Sequence, residues 1–289
     1  MRILPFLITT TALFCSALHV AAEIIVKSGE SIAFMGDSIT QFGAQTSGGY
    51  VRLVESGLAA QGVKVTVIPA GLSANKSPDM LARLEKDVLS KKPTWMTLSC
   101  GVNDVMHGAK GVELEPYKTN ITAILDKCQA AGVKVIILTA TQIGLPVTNP
   151  ENTKLAAYND FLRETAKARK LPLADLNAAM VAEQQSLAKL GLKRTLTGDG
   201  VHMNIYGNLM MARGVLTTLG LDDRQLAIAE SKWQEIPDAF QTQAKVTLSL
   251  GQLAALEAVA EAQGKHAEAL IPELANKAVI TAIESAPSM

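Results

Sequence analysis

From residue 31 onward the apolar positions keep two alternating rhythms. Residues 31–35 form a short apolar run that stops at Gly36. Val51, Val54 and Leu58, joined by Leu53, then recur at helical spacing. Residues 63–68 (VKVTVI) are β-branched and bounded by Gly62 and Pro69, which predicts a strand. Ser77-Pro78 reads as N-cap and first residue of a helix carrying Met80, Leu81, Leu84 and Val88. A strand is predicted at 94–99. Tyr117, Ile121, Ile124, Leu125 and Cys128 make the next amphipathic helix, closed by Gly132, and the run 133–139 (VKVIILT) follows directly. Leu155, Tyr158, Leu162 and Ala166 mark another helical face. A brief strand at 171–174 and a helix from about Met203 to Leu219 complete the series.

Strand and helix therefore alternate about five times. Near-continuous apolar strands such as VIIL need cover on both faces, which predicts a parallel sheet between two helix layers. The expected fold is a three-layer α/β/α sandwich with a five-stranded parallel, flavodoxin-like sheet. Such sheets bind ligands beyond the carboxyl ends of their strands. Gly36-Asp37-Ser38 follows the first strand, Ala70-Gly71-Leu72-Ser73 the second, and Gly101-Val102-Asn103-Asp104 the third. Asp199-Gly200-Val201-His202 comes after the fifth. Small, polar and titratable residues thus gather at one rim.

Past Leu221 the pattern changes to Ala, Leu, Glu and Gln without strands. Lys245 to Leu248 is read as extended. Ser249 with Gln252 reads as a capping box for a helix bearing Leu253, Leu256 and Val259, and a further helix runs through Ile271, Leu274 and Ile280. The expected organisation is a signal peptide at 1–22, a main domain at 23–221 and a helical extension at 222–289, for which core packing is the default reading.

Composition narrows the function. Of 289 residues 48% are hydrophobic, enough for one substantial core, and 27 basic residues balance 27 acidic ones. No Lys/Arg block supplies a surface for nucleic-acid phosphates. Arg2, the apolar stretch to Val20 and the small residues Val20-Ala21-Ala22 read as a secretory leader cleaved near Ala22. Its polar residues argue against a membrane span, so a secreted or periplasmic location without a stable span is expected. Cys15 leaves with the leader. Cys100 and Cys128 remain, each in an apolar stretch, and read as two buried thiols. No Cys or His cluster has zinc-like spacing.

Taken alone, Ser38 reads as a helix N-cap ahead of a nucleophile. Likewise Asp199 and Asn103 would serve as turn residues, Gly71 as a turn glycine and His202 as a structural histidine. His107 closely follows the third block and is a candidate neighbour of the site, whereas His266 lies in the helical tail. Asp199 and His202 are three residues apart, a spacing that lets a carboxylate reach Nδ1 and leaves Nε2 for a serine.

The blocks GDSIT (36–40), Gly71, GVND (101–104) and DGVH (199–202), in this order and at this spacing, resemble the SGNH (GDSL) hydrolase family over roughly residues 30–221. The phrases DMLARL, AAGVKVIILT and DGVHMNIYGNLMMA add to the likeness. The resemblance implies a Ser-His-Asp esterase: Ser38 as nucleophile, His202 as base and Asp199 as its orienting acid. The oxyanion hole would comprise the N–H groups of Ser38 and Gly71 and the amide of Asn103. Asp37 and Asp104 are read as supporting loop amides. No metal or cofactor is called for, and the oligomeric state stays open. The family often carries Asn where Pro69 stands, which affects the expected loop geometry. G-x-S-x-G, P-loop and dinucleotide motifs are absent. The reading is a secreted carboxylic ester hydrolase acting on acyl, chiefly acetyl, esters of carbohydrate, its substrate a small-molecule or polysaccharide ester. The alternatives are a lysophospholipase or thioesterase and, in another class, a non-catalytic carbohydrate- or partner-binding module.

Overall fold

The computed structural model describes residues 23–241 and 246–286. The expected leader and Lys245 lie outside them. In chain order the elements are β1 (Ser31–Gly36), α1 (Ser38–Gln45), α2 (Tyr50–Ala60), β2 (Thr66–Gly71), α3 (Ser77–Asp87), β3 (Trp95–Ser99), α4 (Val102–Met106), α5 (Leu114–Ala130) and β4 (Lys134–Leu138). Then come α6 (Pro150–Arg169), β5 (Leu173–Ala174), α7 (Leu176–Lys189), α8 (Ile205–Thr218), α9 (Asp223–Trp233), α10 (Leu250–Glu261) and α11 (Ala267–Glu284).

The sheet is five-stranded and parallel, in the order β2-β1-β3-β4-β5, as the pattern predicted. Helices α1, α2, α8 and α9 pack together, as do α3, α5 and α6, so the sheet lies between two layers. Strand β3 is buried at every residue and β1 at all but its first, which is why both read as unbroken apolar runs. Strand β2 is an edge and stays partly exposed. Its ladder explains Pro69. Thr66 N–H donates to the Glu30 carbonyl and Leu72 N–H to the Gly36 carbonyl, so even-numbered residues of β2 bond β1 and odd-numbered ones face the open edge. A proline at an edge position costs the sheet no hydrogen bond.

Three expectations change at element ends. Helix α3 is capped at Lys76, whose N–H donates to the Asp79 carboxylate at 2.9 Å, and Ser77 is already inside the helix. Helix α1 is capped by Asp37, whose carboxylate accepts from Ile39 N–H at 2.9 Å, so the cap and Ser38 are separate residues. The first compact unit continues past residue 221 to Phe240. Helix α9 packs on α2 within it, with Trp233 buried and its indole N–H donating to the Leu53 carbonyl at 2.9 Å. From Gln241 onward the chain forms a separate unit, in which α10 and α11 pair. Its expected capping box is present: Ser249 Oγ accepts from Gln252 N–H, and Gln252 Oε1 accepts from Ser249 N–H. Residues 246–249 carry no regular structure.

Candidate active site

The carboxyl ends of the strands carry the predicted residues. Strand β1 ends at Gly36, Asp37 closes the turn and Ser38 opens α1 in a buried position. The loop from 195 to 204 returns to this point, closed by an isolated bridge between Thr197 and Met203. His202 Nε2 lies 2.9 Å from Ser38 Oγ, although 164 positions separate them in sequence. His202 Nδ1 lies 2.6 Å from Asp199 Oδ2. The other Asp199 oxygen accepts the backbone N–H groups of Val201 (3.0 Å) and His202 (2.7 Å), which turns the carboxylate toward the ring. Gly200, between the acid and the base, holds φ +94°, a left-handed value that suits glycine, and its carbonyl accepts from Gly144 N–H at 2.7 Å. The loop after β4 thereby holds the loop that carries the histidine.

Asn103, on the first turn of α4, is buried beside this chain of bonds. Its Nδ2 donates to Asn75 carbonyl at 3.1 Å and to Asp37 Oδ2 at 3.3 Å. Gly71 differs from expectation. As an odd-numbered residue of the edge strand, its N–H is directed away from β1 and hence from the serine that follows β1. Its role is close packing: a Cβ there would meet Gln41 N and Thr40 C of α1. Ala74, three residues on, holds φ +62°, is exposed, and its N–H finds no acceptor among the described residues.

Residues 34–209 match the model of the GDSL-like lipase/acylhydrolase family. The chain belongs to this family. It is a carboxylic ester hydrolase, an acyl esterase of the GDSL type. It is 27% identical over 216 residues to an acetylxylan esterase of Geobacillus stearothermophilus, covering 68% of this chain and 97% of that one. It is 31% identical over 193 residues to the esterase TesA of Pseudomonas aeruginosa, covering 66% of this chain and 89% of the relative. Among solved structures, the acetyl xylan esterase AlAXEase is 32% identical with a TM-score of 0.61, covering 65% of this chain and 98% of its own. The Geobacillus enzyme Axe2 superposes with a TM-score of 0.61 at 27% identity, over 68% and 97% of the two chains. Three further Axe2 structures, each with an alanine in place of an aspartate, a serine or a histidine, are described as catalytic mutants.

The two carboxylates near His202 in this esterase are shifted in opposite directions. Burial raises the pKa of Asp37 to about 6, against the lowering effect of the Ile39 N–H bond and the His202 charge; the nearby Asp104 charge adds to the rise. For Asp199 burial also acts upward, but bonds from the His202 ring and from the His202 and Val201 N–H groups outweigh it and bring the pKa to about 2. Asp104 is raised by its burial although Ser77 Oγ (2.6 Å), Ser77 N–H (3.0 Å) and Cys100 Sγ (3.5 Å) all donate to it. It thereby ties α3 to α4. Cys100 and Cys128 are free and buried, and burial pushes both thiols up, Cys128 to about 12.

Sequence patterns did not single out two neighbours, Arg83 and Phe42. Arg83 reaches from α3 to the Gly36 carbonyl (2.8 Å) and Asn75 Oδ1 (2.5 Å), joining the ends of β1 and β2. Phe42 is four residues after Ser38, 44% exposed, and its ring centroid lies 5.2 Å from that of His202. His107, a candidate neighbour in sequence, places Nε2 3.2 Å from Asn103 Oδ1. Helical spacing from Ser38 would have signalled Phe42; nothing local marks Arg83.

Proposed function

We propose that this chain hydrolyses acyl esters by a two-step Ser-His-Asp mechanism. The bonds of 2.9 and 2.6 Å linking Ser38, His202 and Asp199 carry the reading. Ser38 Oγ attacks the ester carbonyl while His202 Nε2 takes its proton, and Asp199 holds the ring by Nδ1 and stabilises the imidazolium. His202 then protonates the leaving alcohol, and water, activated by the same histidine, releases the acid and frees Ser38. The oxyanion is received by Ser38 N–H at the start of α1 and by Asn103, whose long bond to Asp37 yields to a charged acceptor. We assign the third donor to Ala74 N–H rather than Gly71, because Ala74 precedes Asn75, whose carbonyl meets Asn103. In the Axe2 catalytic mutants the replaced aspartate and histidine are three positions apart, as Asp199 and His202 are here.

For the substrate we propose acetyl esters on carbohydrate, with the protein exported by its leader. Two acetyl xylan esterases among its relatives support this reading, and the TesA relative keeps longer acyl esters as the rival. Turnover on acetylated xylan and on p-nitrophenyl esters of rising chain length tests it: high activity on acetyl and loss beyond butyryl is expected, and a preference for long chains overturns it. Mature protein beginning after Ala22 in the exported fraction is the expected result for the leader.

A further inference from the structure

Asn103 Nδ2 faces two groups that only accept, the Asn75 carbonyl and an Asp37 carboxylate oxygen. These fix which end of the amide is NH₂, so Oδ1 is turned to the opposite side, where His107 Nε2 stands 3.2 Å away. An amide oxygen only accepts, so Nε2 must carry the hydrogen. His107 follows Asn103 by four residues, on the same face of α4 and at its C-cap. Its own backbone is held: its carbonyl accepts Lys110 N–H at 3.0 Å, and Val112 N–H returns to the Asp104 carbonyl at 2.8 Å. His107 itself is exposed and makes no other side-chain bond among the described residues.

We propose that His107 is a positioning residue of the oxyanion hole: its Nε2–H holds the Asn103 amide with the NH₂ group turned toward Ser38. This rests on the Ser-His-Asp reading above. It gives a function to a histidine outside the Ser38–His202–Asp199 chain. Asn103 Nδ2 has only long bonds of 3.1 and 3.3 Å on its donor side. Without a partner at Oδ1 the side chain can rotate about its last torsion, and donors that are not preorganised lose much of their electrostatic value in the transition state.

The test compares His107→Phe, which keeps bulk without a donor, His107→Ala, and His107→Gln, whose Nε2 reaches a similar point and can donate. Losing one oxyanion donor outright costs on the order of 10²–10³ in kcat, so losing its orientation should cost about tenfold. The expected result is a kcat for p-nitrophenyl acetate about tenfold lower in His107→Phe and His107→Ala, with KM and Tm little changed, and recovery in His107→Gln. In an Asn103→Ala background, His107→Phe should cost nothing further. An unchanged kcat in His107→Phe, absence of rescue by Gln, or a full additional loss in the Asn103→Ala background overturns the proposal. Labelling of the wild-type protein at Ser38 by a fluorophosphonate tests the underlying reading separately. A wild type that neither labels nor hydrolyses refutes that reading; one that does both leaves the His107 result to stand or fall alone.

Discussion

The corner between β1 and α1 and the loop from 195 to 204 meet at one hydrogen bond, yet they are built in opposite ways. The corner is buried, capped by Asp37 and pressed between β2, α3 and α4 by Gly71, Arg83 and Asn103. The loop is open: the Asp199 side chain is 58% exposed, and a few local bonds with one tether from Gly144 set its shape. Both bring a carboxylate to the neighbourhood of His202. In the corner burial wins and the acid is driven up to about 6; on the loop hydrogen bonds win and it falls to about 2. A carboxylate that must stay ionised beside a histidine belongs in the wetter, hydrogen-bonded position. A carboxylate that holds a turn tolerates the dry one.

The comparison can be broken most severely at the bond that joins the two regions. Ser38→Ala should abolish p-nitrophenyl acetate hydrolysis, a loss on the order of 10⁴–10⁶ in kcat, with the far-ultraviolet spectrum unchanged. Activity at the wild-type level in the folded variant would end the proposed mechanism. On the loop side, Asp199→Asn should lower kcat by about 10³–10⁴ by spoiling the histidine tautomer, while Tm shifts little because the acid is exposed. A large fall in Tm would show that the loop is as structural as the corner.

In the corner the order of effects reverses. Gly71→Ala drives a Cβ into the backbone of α1 and should cost about 1–3 kcal/mol in denaturant unfolding, with activity lost as Ser38 moves. Unchanged stability would mean that α1 is loosely held. The smallest effect is the pH dependence. Asp37 titrates near 6 in the folded protein against about 3.9 when unfolded, so the folded state binds the proton more tightly. Its contribution is full below pH ~4 and is lost as pH rises through about 6. Asp199, with its folded pKa near 2, acts oppositely: its contribution is present above pH ~4 and is lost as pH falls toward 2. Asp37→Asn, which keeps an oxygen for the cap, should therefore flatten stability between pH 4 and 6 relative to wild type, measured by urea midpoints.

Much of this arrangement is legible in the sequence. Runs such as VIIL named the buried parallel strands, because a strand covered on both faces has no polar positions. The four blocks at strand ends placed Ser38, Asn103, Asp199 and His202 on one rim. Gly71 was misread as a donor because ladder parity, which sends its N–H to the open edge, depends on the pairing partner. Ser77 was misread as a cap because its hydroxyl is taken by Asp104, 27 residues away. The main unit runs to Phe240 instead of 221 because α9 is held by Trp233 against α2, a contact across 180 positions.

By itself the sequence determined the alternation of strands and helices, the parallel sheet and the chemical identities at its rim, since these follow from local periodicity and turn chemistry. Only the tertiary structure decided which atoms meet. Whether Ser38 is cap or proposed nucleophile turned on Asp37 filling the cap and on His202 returning from 164 residues away. The opposite pKa shifts of the two acids likewise come from burial on one side and loop hydrogen bonds on the other, quantities that exist only once the chain has folded.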